Sequence, residues 1–130
     1  MRERNVEIAR SVVAAYNRGD MEGVLAVVSP DVEVVSTPEM PKDGRFEGHE
    51  GFMTWLTQWL EAWDEFRLVV GDVEAIDDRH VLADVRQVAR GAHSGIEIDM
   101  GVVHLFEMAP DGTIVRFQLH TSREAALAAV

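Results

Sequence analysis

An α+β roll is the fold class this sequence predicts, and three observations predict it. Apolar residues recur at helical spacing three times in the first half of the chain. From Phe66 onward the period becomes two. The strands of that second half are separated by short turns, which favour antiparallel neighbours, so three helices must cover one face of a meander. The whole chain, 1–130, reads as one domain. A chain of this length buries about two-thirds of its unfolded surface.

The elements follow in order. Val6, Ile8, Ala9, Val12, Val13 and Tyr16 form the first helical stripe, which should end near Asn17-Arg18-Gly19 with Gly19 as the cap. Asp20 then caps a second helix, expected from Met21 to Val28, with Glu22 in its first turn. Ser29-Pro30-Asp31 breaks it, and Val32 to Ser36 reads as a short strand. Thr37 to Gly48 carries Pro38, Pro41 and Gly44 and reads as a loop over the surface or a pocket mouth. A third helix is expected from about Glu50 to Asp64, with Phe52, Trp55, Leu56, Trp59, Leu60 and Trp63 on one face.

Strands are expected at Arg67 to Ile76 and Val81 to Arg90, turned by Asp77-Asp78 and then by Gly91 to Gly95. The next strand lies within residues 96–108, and Pro110-Asp111-Gly112 turns it. Ile114 to His120 is the last strand. Ser122 caps a final helical turn, Arg123 to Ala129, with Glu124 as an acid at its N-terminus.

Composition narrows the function. The formal net charge is −11, a field that repels phosphate backbones and anionic membranes, so neither nucleic acid nor a membrane is an expected partner. There is no cysteine, which excludes disulfides and thiolate chemistry. His49-Glu50 lacks the second histidine of a zincin, position 53 being Met, so no metal is expected. No cofactor is implied. Neither a signal peptide nor an apolar membrane span is evident, and a cytoplasmic location is the default expectation.

The run at 96–108 carries the best clue to chemistry. Ile98, Met100, Val102, His104, Phe106 and Met108 share one face, apolar except for one imidazole. His104 is either a hydrogen-bonded core residue or part of a ligand pocket, where it could act as a base. Tyr16, the sole tyrosine, could donate to a ligand oxygen or pack at the helix end. Gln87 interrupts the apolar face of Val81, Ala83, Val85 and Ala89, and could bind a ligand or bond His104 across the sheet. Ser36 offers a hydroxyl at a strand end. Trp55, Trp59 and Trp63 form a ladder, of which Trp59 and Trp63 are expected to line a cavity with Phe106 and Phe117. His80 and His93 fall in turns and should be solvated. Arg86, Arg90 and Asp84, and likewise Arg116, Gln118 and His120, suit an exposed or intersubunit sheet face.

Five local matches in order carry a resemblance. They are Ala15-Tyr16-Asn17-Arg18-Gly19-Asp20-Met21, Ser29-Pro30-Asp31-Val32-Glu33, Phe46-Glu47-Gly48-His49-Glu50-Gly51, Gly91-Ala92-His93-Ser94-Gly95 and Asp111-Gly112-Thr113-Ile114-Val115. The sequence resembles the SnoaL-like branch of the NTF2-like superfamily. The resemblance implies a cone-shaped roll, with three N-terminal helices on a strongly curved, mostly antiparallel sheet and a short C-terminal helix. It also implies a cavity, and a homodimer.

The fold does not give the function. Steroid isomerases of this superfamily need a carboxylate base where Ser36 stands, a protonated Asp where Val102 stands, and a Tyr near Tyr16. Epoxide hydrolases need polar and acidic groups where Val34, Ser36, Val85, Gln87 and Leu119 stand. Polyketide cyclases place an acid at Leu119 and a His near His104. The usual carboxylates are therefore missing. The expected function is binding of a small apolar, cyclic ligand by Ser36, Trp59, Trp63, Gln87, Val102, Phe106, Phe117 and Leu119. If the protein is an enzyme, His104 is the base, assisted by Tyr16, in isomerase- or cyclase-like proton transfer. A non-catalytic dimeric binding or accessory module is the alternative. A structural partner domain with a vestigial cavity is a third reading.

Overall fold

A computed structural model describes residues 2–36, 44–61, 63–91 and 95–130, with side chains at all of these except 36, 44–45, 58–61 and 63–65. The elements are α1 (Arg2–Asn17), α2 (Met21–Ala26), β1 (Val28–Ser36), β2 (Gly44–Glu47), α3 (Gly48–Glu61), β3 (Trp63–Ala75), β4 (His80–Gly91), β5 (Glu97–Met108), β6 (Ile114–His120) and α4 (Arg123–Ala128). The strands form one open sheet in the order β2-β1-β6-β5-β4-β3. Every neighbouring pair is antiparallel except β1 and β6, which run parallel. This is the α+β roll that the change of period predicts.

Local chemistry sets the helix ends. Gly19 takes φ +74°, and Gly19 and Asp20 donate back to the carbonyls of Tyr16 and Ala15 at 3.0 and 2.9 Å, closing α1. The Asp20 carboxylate accepts the Gly23 amide at 2.9 Å and starts α2. Ser122 caps α4 by accepting from the Ala125 amide at 3.1 Å.

Several boundaries differ from expectation. α2 stops at Ala26, and β1 begins at Val28, so Ser29-Pro30-Asp31 lies inside a strand. The pairing of β1 with β6 shifts register between Val28 and Glu33, and a proline that cannot donate to a ladder is tolerated at such an irregularity. Within the expected loop, Gly44–Glu47 forms β2 against β1, with Phe46 opposite Val34. α3 begins two residues earlier than expected and ends at Glu61. Trp63 is consequently not on that helix: it opens β3, opposite Gly91.

Both faces of the sheet bury apolar surface. On the inner face, α1 and α3 cover Val81, Ala83, Val85, Val102, Phe106, Met108, Phe117 and Leu119. On the outer face, α4 sets Ala126 against Leu82, Val103 and Leu105. Gln118 and His120 also point outward, as the alternation implies, but they are each only 7% exposed. They bond one another, Gln118 Oε1 to His120 Nε2 at 2.9 Å. The expected exposed face is therefore real at Arg86 and Arg90, half-buried at Asp84 and Arg116, and absent beside α4, whose packing no strand pattern reveals. His80 is not solvated either: its Nδ1 lies 3.0 Å from the Asp77 carboxylate. His93 lies outside the described residues.

Candidate functional site

The inner face does not fill completely. A cavity of about 60 Å³ remains between α1, α2 and α3 and the concave face of the sheet. Val12, Val13 and Tyr16 come from α1, and Phe52, Trp55 and Leu56 from α3. Phe66 and Leu68 of β3, Gln87 of β4, His104 and Phe106 of β5, and Phe117 of β6 close the other sides, with Val24, Val28 and Ile114 at one end. Helical spacing delivers the first group, and strict alternation along the strands delivers the second.

His104 sits in β5 opposite Ala83 on one side and Leu119 on the other. It is 4% exposed, and neither ring nitrogen has a hydrogen-bond partner. Burial lowers its pKa from 6.5 to about 3, since no charge compensates the desolvated cation. Phe117 is the hub around which the rings pack. Its centroid lies 4.9 Å from His104, 5.2 Å from Phe106 and 5.5 Å from Trp55. All three pairs are inclined, the arrangement that ring quadrupoles favour.

Tyr16 stands edge-on to Phe66, centroids 6.0 Å apart. Its hydroxyl is buried and unpartnered, and desolvation pushes its pKa up to about 12. Tyr16 is placed by its neighbour in sequence. The Asn17 amide donates to the Leu68 carbonyl at 2.7 Å and accepts the Leu68 amide at 3.1 Å. That two-way bond ties the end of α1 to the edge strand β3.

Gln87 is 3% exposed, and its Oε1 has no partner. It faces Met100 rather than His104, so the cross-strand bond considered from the sequence is not made. The indole N–H of Trp55 is likewise buried and unpartnered. The structure thus brings His104, Tyr16, Gln87, Phe106 and Phe117 to one cavity. Val102 and Leu119 share the inner face but are packed in the core and do not line the cavity. Ser36 lies in β1 opposite Leu119, and Trp59 lies in α3. The side chains of Ser36, Trp59 and Trp63 lie outside the described residues.

Sequence reasoning passed over Trp55 and Phe66. Trp55 belonged to the recognised ladder, and its place on the same stripe as Phe52 and Leu56 was the available signal. Among the described residues, no group of three or more His, Asp or Glu side chains could hold a metal ion. Nor is any helix long and apolar enough to cross a membrane.

The sequence profile of the SnoaL-like domain matches residues 9–117. The chain belongs to the SnoaL-like domain family. No curated protein matches it. Solved structures do. TerC, co-crystallised with polyporic acid, is 23% identical over 96% of each chain, with a TM-score of 0.81. An NTF2-like protein of unknown function from Burkholderia pseudomallei is 20% identical, over 96% of this chain and 95% of that one, with a TM-score of 0.81. A candidate SnoaL-like polyketide cyclase from a Jannaschia species is 19% identical, over 99% and 92%, with a TM-score of 0.80. At these identities the likeness is one of fold. The SnoaL-like fold is an α+β roll of NTF2 type, and its cavity in this chain holds four polar side chains on aromatic and aliphatic walls.

Proposed function

We propose that this SnoaL-like domain binds a small apolar, cyclic molecule in the cavity. Tyr16, Trp55, Gln87 and His104 grip its polar substituents, and the Phe117 cluster holds its ring. One observation carries the reading. Five buried polar atoms on these four side chains find no hydrogen-bond partner among the protein's own groups. Unsatisfied buried polar atoms cost roughly 1–3 kcal/mol each, and a ligand that pairs them recovers that cost. TerC, which shares the fold, was crystallised with an organic acid, and this supports a role in holding an organic ligand.

The cavity of about 60 Å³ is smaller than the ~150 Å³ of an apolar cavity that takes benzene. Entry of a ring therefore requires its half-buried rim, Tyr16, Phe66 and Leu68, to give way. Binding is favoured over proton transfer. A general base works best with a pKa near the operating pH, whereas burial holds His104 at about 3. Among the described residues, no carboxylate lines the cavity to assist it. Near neutral pH the imidazole is a neutral donor and acceptor.

Native mass spectrometry of protein purified from its host tests the reading. A retained small molecule is expected, and it should be lost in His104→Leu. Bare chains in every preparation, together with no thermal shift from a panel of cyclic ketones and phenols, would refute it. The same reading includes a homodimer at work in the cytoplasm. The exposed Val69, on the outer face of β3 beside Arg86, supports the association. Light scattering at micromolar concentration should give twice the chain mass of 14.5 kDa.

A further inference from the structure

We propose that the cavity admits its ligand only in an uncharged form that carries a hydrogen-bond donor and an acceptor together, as a neutral phenol or a hydroxyketone does, and that it excludes the corresponding anion. This rests on the binding reading above and narrows it to a ligand class.

The hydrogen-bond inventory sets the first requirement. The Trp55 indole only donates, so the ligand must accept. The Gln87 Oε1 only accepts, so the ligand must donate. Neutral His104 offers one of each, and the Tyr16 hydroxyl offers both. A ligand with acceptors alone leaves the buried Gln87 oxygen unpaired.

Charge sets the second requirement. Among the described residues, the titratable groups facing the cavity are Tyr16 from α1 and His104 from β5. The lining contributed by α2, β1, α3, β3, β4 and β6 holds no Asp, Glu, Lys, Arg or His among the described residues. An anion entering this site therefore loses its water and meets no counter-charge among the described residues. The net charge of −11 adds a further opposing field. Transfer of the ligand's proton to His104 would create an ion pair, but desolvation lowers the affinity of that ring for protons, so the proton stays on the ligand.

p-Nitrophenol tests this, because its neutral and ionised forms absorb at different wavelengths. The wild-type protein is titrated with it across the pH at which the free probe ionises. The bound probe should keep the neutral spectrum, with its ionisation midpoint raised by about one pH unit or more, equal to at least a tenfold preference for the neutral form. p-Nitroanisole, which lacks the donor, should bind about tenfold more weakly, and Gln87→Leu should even out the two. A bound probe with the ionised spectrum, a lowered midpoint, or equal affinity for the two probes would overturn the inference and leave the pocket standing. Failure of both probes to bind at millimolar concentration would overturn the pocket reading itself.

Discussion

The His104 ring meets Phe117 edge-on, with centroids 4.9 Å apart and planes inclined at 83°. The two are diagonal neighbours on adjacent strands, since His104 faces Leu119 and Phe117 faces Phe106. Diagonal side chains on one sheet face lie within reach of each other when one is aromatic. The imidazole is thereby walled by carbon, and both its nitrogens lack partners.

This placement makes His104 a source of acid sensitivity. The unfolded ring takes a proton below about 6.5, while the folded ring resists protonation down to about 3. The unfolded state therefore binds more protons in that window, and stability is lost as pH falls through it, by at most about 1.4 kcal/mol per pH unit. Above pH 6.5 the ring is neutral in both states and contributes no slope. In His104→Leu the loss of stability between pH 7 and pH 5 should shrink, as read from urea midpoints. An unchanged loss would mean that the ring protonates in place.

Gln87→Leu keeps the side-chain volume and removes an amide oxygen that has no partner. The variant should gain about 1 kcal/mol of stability at neutral pH while losing affinity for hydroxylated ligands. Thermal unfolding with and without ligand measures both. A destabilised variant would show that the amide is satisfied in solution.

Asn17→Ala removes both bonds to the Leu68 peptide. The side chain is exposed on its other side, so water replaces part of the interaction and the loss should be about 1 kcal/mol. Hydrogen exchange at the Leu68 amide should accelerate. Asn17→Asp, which keeps the acceptor, should retain most of that protection.

Gly48→Ala tests the junction between β2 and α3. Gly48 has φ +71°, and an added Cβ would lie 3.3 Å from the Pro30 carbonyl oxygen. The left-handed conformation alone costs a residue with a Cβ about 1–2 kcal/mol, so the melting temperature should drop by several degrees.

Much of this arrangement was legible in the residues. Alternation put His104, Phe106 and Gln87 on the inner face, and Asp20, Ser122 and Gly19 marked helix ends by chemistry that operates within a few residues. What stayed hidden depends on distant partners. β2 is four residues long and exists through its pairing with β1, not through any pattern of its own. The apolar stripe of α3 continues in phase to Trp63 although the helix has already ended, because phase alone does not mark a terminus. At the site, the ladder did not single out Trp55, whose side chain reaches the cavity. Gln118 and His120 are buried on the outer face, where α4 packs against β5 and β6, an element that adds nothing to the strand's own sequence signal.

The parallel seam between β1 and β6 also orders events in time. Strands β3, β4 and β5 each pair with the next strand along the chain and can zip up from local turns, whereas β1 must also find β6, a partner made almost last. During synthesis, α1, α2 and β1 emerge long before that partner exists, with their greasy stripes uncovered. The early chain therefore carries uncovered apolar surface until β6 is made, and completion of β6 is the moment at which the sheet can first close around β1.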